Sequence, residues 1–295
     1  MRDSSNPVMR GVVRDNQPAP YAGFGQAIPG AQQGAMMTGQ QANPYLQDSQ
    51  TQNYAPATAQ GQLTVDDVVV KTGITLGVLI AVAIATYAVI ATRADEAAQA
   101  AFAMPFLLVG AIGGLIMVLI ASFGRKQDNP AIVLSYAALE GLFVGAISFV
   151  FANLTVGDNV SAGAMIGQAV LGTIGVFIGM LVVYKVGAIR VTPRFTRMLM
   201  AGMVGVIVLA LGNFVLSLFG VNMGLYSGGP IAIIFSLVCI ALAAFSFLVD
   251  FDAADRLVKA GAPSRAAWGI ALGLTVTLVW LYVEILRLLS YLNSD

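Results

Sequence analysis

Residues 130–154 read PAIVLSYAALEGLFVGAISFVFANL, and Glu140 is the only charged residue in the run. As a helix the run is roughly 37 Å long at 1.5 Å per residue, enough to cross the roughly 30 Å hydrocarbon core of a bilayer. A carboxylate in hydrocarbon costs roughly 2.5–3.5 kcal/mol on insertion scales, so an ionisable residue there marks a functional site by default. Glu140 lies roughly 15 Å from the start of the run, near the bilayer midplane. Its i−4 and i+4 neighbours are Tyr136 and Val144, so its own helix offers no cation. Two readings stand: a proton-binding or cation-coordinating carboxylate facing an internal cavity, or a protonated acid hydrogen-bonded to a neighbouring helix. Gly141 and Gly145 beside it form a G-x-x-x-G step that lets another helix approach closely.

The rest of the chain repeats the pattern. Hydrophobic residues make up 58% of it and charged residues 10%, against about 25% charged in a soluble domain. Seven stretches are long enough to span: Thr72–Thr92, Phe102–Phe123, Ala131–Leu154, Ala164–Tyr184, Met198–Phe219, Ile231–Val249 and Trp268–Leu289. They are too long and too uniformly apolar for barrel strands, and open strand edges cannot be satisfied in lipid. The expected fold is an all-α integral membrane protein with seven transmembrane helices over residues 63–295. Asp128-Asn129-Pro130 and Gly228-Gly229-Pro230 mark helix starts, and Val191-Thr192-Pro193 interrupts the loop after the fourth span. Gly110 with Gly114, Gly175 with Gly179, and Gly202 with Gly205 add helix-packing spacings.

Basic residues set the expected topology. Lys71, Arg125, Lys126, Lys185, Arg190, Arg194, Arg197, Arg256, Lys259 and Arg265 fall at one end of the spans, Arg93 and Arg287 at the other. The positive-inside rule then puts the N-terminus in the cytoplasm and the C-terminus outside. Residues 1–62 are rich in Gln, Ala, Gly, Pro and Asn and lack the apolar core of a signal peptide. They are expected to form a disordered cytoplasmic tail.

Much chemistry is excluded. The chain has no histidine, which removes histidine triads, H-E-x-x-H zinc sites and histidine-ligated haem. A single cysteine, Cys239, permits no disulfide within the chain and reads as a small buried apolar residue. No phosphate-cradling glycine loop occurs. Two embedded acids could in principle form an aspartyl protease dyad, but the glycine-x-glycine-Asp pattern of such proteases is missing. The expectation is therefore no enzyme and no cofactor, with the lipid bilayer as the surroundings and nucleic acid not a partner.

Other polar residues lie in or near the spans. Asp250 is the first charge after an apolar run from Ile231, and its i+4 residue is Ala254, so it needs a tertiary partner, water or an ion. Asp252 with Arg256 and Asp255 with Lys259 fit i, i+4 pairs on a solvated helix end, and Asp252 stands with Glu140, Asp250 and Glu284 as a candidate ion or proton site. Glu284 lies in the outer part of the last span, with Arg287 at i+3. Thr275 and Thr277 can bond back to their own helix. Asn213 and Gln168 read as interhelical glue.

At these residues the chain resembles the Bax inhibitor family of transmembrane proteins and looks like a bacterial member. The resemblance covers about Leu63 to Leu292. It is carried by the seven-span layout, Leu248-Val249-Asp250, the Gly141 to Gly145 step and the string from Trp280 to Leu289. It implies a central seventh helix wrapped by six others, a place in the bacterial plasma membrane, and a pH-sensitive calcium leak. In the family a carboxylate ending span six pairs with one in the seventh helix, and their protonation sets the gate. Asp250 matches the first. Matching Leu281-Tyr282-Val283-Glu284 selects Glu284 as the second, whereas matching Leu286-Arg287-Leu288-Leu289 selects Thr277. Counting depth along straight spans holds Asp250 at the cytoplasmic edge, about 20 Å from Glu284, and leaves Glu140 to supply the missing acid. Glu140 and Asp250 are the expected calcium ligands, since carboxylate oxygens suit a hard cation. Without histidine, any pH response falls to the acids. The alternatives are a non-conducting regulator that binds other membrane proteins, such as stress or quality-control proteins, and a proton-coupled transporter.

Overall fold

A computed structural model describes residues 61–155, 161–221 and 223–293. Residues 1–60 of the tail expected to be disordered lie outside the described residues. The chain forms seven helices long and apolar enough to cross a membrane. They are α1 (Val65–Ala91), α2 (Glu96–Phe123), α3 (Pro130–Phe149), α4 (Ala162–Lys185), α5 (Pro193–Leu218), α6 (Pro230–Lys259) and α7 (Ala266–Leu292). A π-helical turn, Val150–Thr155, ends the third span.

Local chemistry sets the ends. Thr64 caps α1 in a reciprocal box with Asp67. Asn129 accepts from the Ala131 N–H at 2.9 Å just before Pro130, which leaves Asp128 free for another role. Thr192 caps α5 in the same way ahead of Pro193. Gly229 gives α6 no side-chain cap. Gly261, at φ +64°, closes α6 through the bonds Ala262 N–H to Leu257 O and Gly261 N–H to Val258 O, both 3.1 Å. The helix thus runs well past Val249, and Asp250 lies nine residues inside it (259 − 250). That places it roughly 14 Å from the helix end at 1.5 Å per residue.

The most enclosed helix is α7. Helices α1, α3, α4 and α6 pack on it directly, while α2 lies mainly along α3 and α5 along α6. The wrapping is therefore four helices deep, with two leaning on the outside. One apolar cluster joins α7 to α1, α3 and α4 through Leu79, Val144, Met165 and Leu286. Another joins it to α6 through Phe247, Phe251, Ile270 and Leu281, with Phe177 of α4 edge-on to both phenylalanines. The outward faces of α1, α2, α4 and α5 carry large exposed apolar side chains, which suits contact with lipid tails.

Glycine sets the closest approaches, though not at every expected pair. A Cβ at Gly141 would meet Leu79 O at 2.7 Å, and one at Gly145 would strike Ala83 O and Thr86, so this step seats α3 on α1. On the other side, Gly110 faces the Phe143 and Leu139 backbone, seating α2 on α3. Gly202 meets Leu242, but Gly175, Gly179 and Gly205 face open space. Helix α4 packs instead through Met165, Ala169 and Phe177.

A short segment ahead of α1 packs on the bundle. Gly61–Thr64 runs beside the α6–α7 loop, with Leu63 N–H donating to Ala262 O at 2.8 Å and Ser264 N–H to Gly61 O at 2.9 Å. The Leu63 side chain is 3% exposed among Phe247, Phe251 and Ile270. Lys71 Nζ adds a bond to Ser264 O at 3.2 Å.

Replacing Gly145 by valine forces α1 and α3 apart, at a cost of about 1–3 kcal/mol for overpacking. Gly145→Val should lower the thermal unfolding midpoint by several degrees in detergent, while Gly175→Val should leave it unchanged. Equal effects of the two would show that the α1–α3 seam is not what holds these helices.

Candidate functional site: two stacked cavities on the central helix

Ala266, Gly269, Ile270, Gly273, Val276, Trp280, Val283, Glu284 and Arg287 recur at i, i+3, i+4 spacing and so share one face of α7. That face fronts two cavities. The first, of about 530 Å³, opens at the end bearing Lys71 and Arg265 and runs along α7 from Ala266 to Gly273. The second, of about 380 Å³, continues from Val276 to Arg287. Both are walled on one side by α2, which supplies Ser122 to the first, with Arg125 just past its end, and Gly114 and Leu115 to the second.

Asp250 lines the first cavity. Thr277 Oγ1 donates to Asp250 Oδ2 at 2.7 Å and also lies 3.3 Å from Gly273 O. Thr277 falls on the same face of α7, where one cavity gives way to the next. Of the two positions open for the partner of Asp250, the structure brings Thr277 to it. Seven residues (284 − 277), roughly 10 Å of helix, separate Thr277 from Glu284. A hydroxyl suits either state of the acid. It donates to a carboxylate. If Asp250 is protonated, the acid O–H donates to Thr277 Oγ1 and the threonine hydrogen turns to Gly273 O.

Three further charged groups surround the first cavity. Arg125 lines it from a left-handed backbone conformation, φ +52°, that ends α2. Such a conformation is strained for a residue with a side chain, and strain of this kind clusters at functional sites. Asp128 lines it too and pairs with Arg265 Nε at 3.0 Å, tying the α2–α3 loop to the start of α7. The sequence pattern did not single out these groups as a set, because their pairing crosses two loops.

Glu140 lines the second cavity with Glu284 and Arg287. Arg287 Nη1 donates to both oxygens of Glu284, at 2.8 and 3.0 Å, and Glu284 is 5% exposed. That acid is neutralised on its own helix. Glu140 has no hydrogen-bond or ion-pair partner among the described residues. Its Oε2 occupies the space a Cβ on Gly114 would need, 2.5 Å away, so the absent side chain on α2 makes room for the acid. Ala121 and Val118 of α2, Val133 and Tyr136 of α3, and Leu272 of α7 form an apolar cluster, and Val118 and Tyr136 of it also line the second cavity.

Glu140 and Asp250 thus line different cavities, and Glu140 does not stand in for the second carboxylate. Among the described residues no group of three or more acids or cysteines is placed to hold a metal ion. Asp252 pairs with Arg256 at 2.7 Å and Asp255 with Lys259 at 2.6 Å, and neither lines a cavity. Asn213 caps a loop by accepting from Met223 N–H at 3.3 Å, and Gln168 is exposed, so neither bonds another helix.

Among curated proteins no match is found. A family model described as Bax inhibitor 1 like matches residues 43–294, beginning ahead of Leu63. The match covers all seven spans and both cavities, and the chain belongs to the Bax inhibitor 1 like family.

Proposed function

We propose that this chain is a non-enzymatic cation leak, with calcium as the ion, whose gate responds to protonation of Asp250. The observation that carries the reading is the contact of Asp250 with Thr277 at the junction of two cavities stacked along α7. A leak needs a site attractive enough for a cation to enter and weak enough for it to leave. One carboxylate and one hydroxyl fall far short of the six to eight oxygens of a storage site for calcium. The excess of basic residues at the Lys71 end supports a cytoplasmic N-terminus and an opening of the first cavity to the cytoplasm of a bacterium.

The family pattern pairs two acids, and here the second is Thr277. A lone acid titrates in one step, whereas two acids in contact share a proton and titrate in two. Calcium flux into proteoliposomes should depend on pH through a single group. Asp250→Asn should cut that flux at least tenfold and flatten its pH dependence; a variant that matches the native protein at every pH would sink the assignment. Thr277→Asp rebuilds a dyad and should broaden the flux–pH curve into two steps, and an unchanged single-step curve would show that Thr277 does not face the gating group.

A further inference from the structure

The second cavity has a chemistry of its own. Its charged groups are Glu140, Glu284 and Arg287. The last two satisfy each other, so the cavity presents one uncompensated acid. Tyr136, Phe143 and Trp280 surround it, and the remaining lining is largely aliphatic. Calcium passing along the path is not held here: a bound ion takes six to eight oxygens, and the acid left for it in this cavity is Glu140 alone. A single positive charge fits, and aromatic rings stabilise an ammonium through their faces. Apolar walls then accept a hydrocarbon body, and about 380 Å³ falls within the usual range for small-molecule pockets.

We infer that the cavity between α2, α3 and α7 binds a lipophilic monoammonium, with Glu140 taking the charged nitrogen and the aliphatic walls taking the chain. The ligand is a free amphiphilic amine and not a lipid headgroup, because Glu140 lies roughly 15 Å along α3 from its start, near the bilayer midplane. Gly114 keeps the acid in place, since a side chain there would displace its Oε2. The site does not depend on the leak reading: Asp250 is not part of its wall.

The test uses the full chain in phosphatidylcholine nanodiscs with octylammonium as the probe. The readout is Trp280 fluorescence in a Trp268→Phe background, corrected for empty nanodiscs. The expected result is saturable binding that Glu140→Gln weakens at least tenfold, that Glu140→Asp partly restores, and that millimolar calcium leaves unchanged. Val276→Phe, which narrows the cavity, keeps Glu140 and adds no second tryptophan, should weaken binding at least tenfold even if Glu140→Gln proves unstable. Asp250→Asn should bind normally, so failure of the leak proposal and failure of this one read differently. Equal saturable binding by octanol would make the cavity a lipid-filled groove and overturn the inference. Competition by added phosphatidylethanolamine would overturn the assignment to a free amine, and undiminished binding in Glu140→Gln would remove the acid from the site.

Discussion

Helix α3 holds two neighbours by backbone contact, and the shape of the interior depends on that. Gly141 and Gly145 seat it on α1, and Gly110 seats α2 on it. In lipid no hydrophobic force gathers helices, so such close approaches carry much of the packing. Because α2 is held by α3, it stands off α7 along most of its length. The gap it leaves is the two cavities. An extra methyl at Gly110 or Gly145 would alter that gap before it touched any polar group.

The polar residues follow the same geometry. Asp250 and Glu140 line different cavities, one from α6 and one from α3. Asp250 meets a hydroxyl that can donate to it or accept from it. Among the described residues Glu140 meets neither cation nor donor, while Glu284 in the same cavity is engaged by Arg287. Three acids that look alike in composition therefore have three different electrostatic situations. Only the packing of α6 and α7 against each other, and of α2 against α3, distinguishes them.

The spans, their order and the pairs Asp252–Arg256 and Asp255–Lys259 were legible in the sequence, because hydropathy and i, i+4 spacing are local properties. The isolation of Glu140 was legible for the same reason. The partner of Asp250 was not, since Thr277 and Glu284 differ only by the register of two antiparallel helices. Depth counting did warn against Glu284. The apolar run did not mark the end of α6, because the helix continues past Val249 through charged residues to Lys259. Gly61 and Gln62, the first half of the strap on the α6–α7 loop, fell in a segment whose composition reads as disordered. The Gly175 and Gly179 spacing promised a contact that α4 makes through larger side chains. Arg125 and the Asp128–Arg265 pair came together only across loops.

The two-cavity interior is most directly tested by thiol labelling from each side of the membrane in a Cys239→Ala background. With a charged, membrane-impermeant reagent at neutral pH, Asp250→Cys should react from the end that carries Lys71 and Arg265. Glu140→Cys should be protected from that end. Labelling of both positions at the same rate from the same side would mean one continuous vestibule, and would contradict the separation of Asp250 from Glu140 on which the account rests.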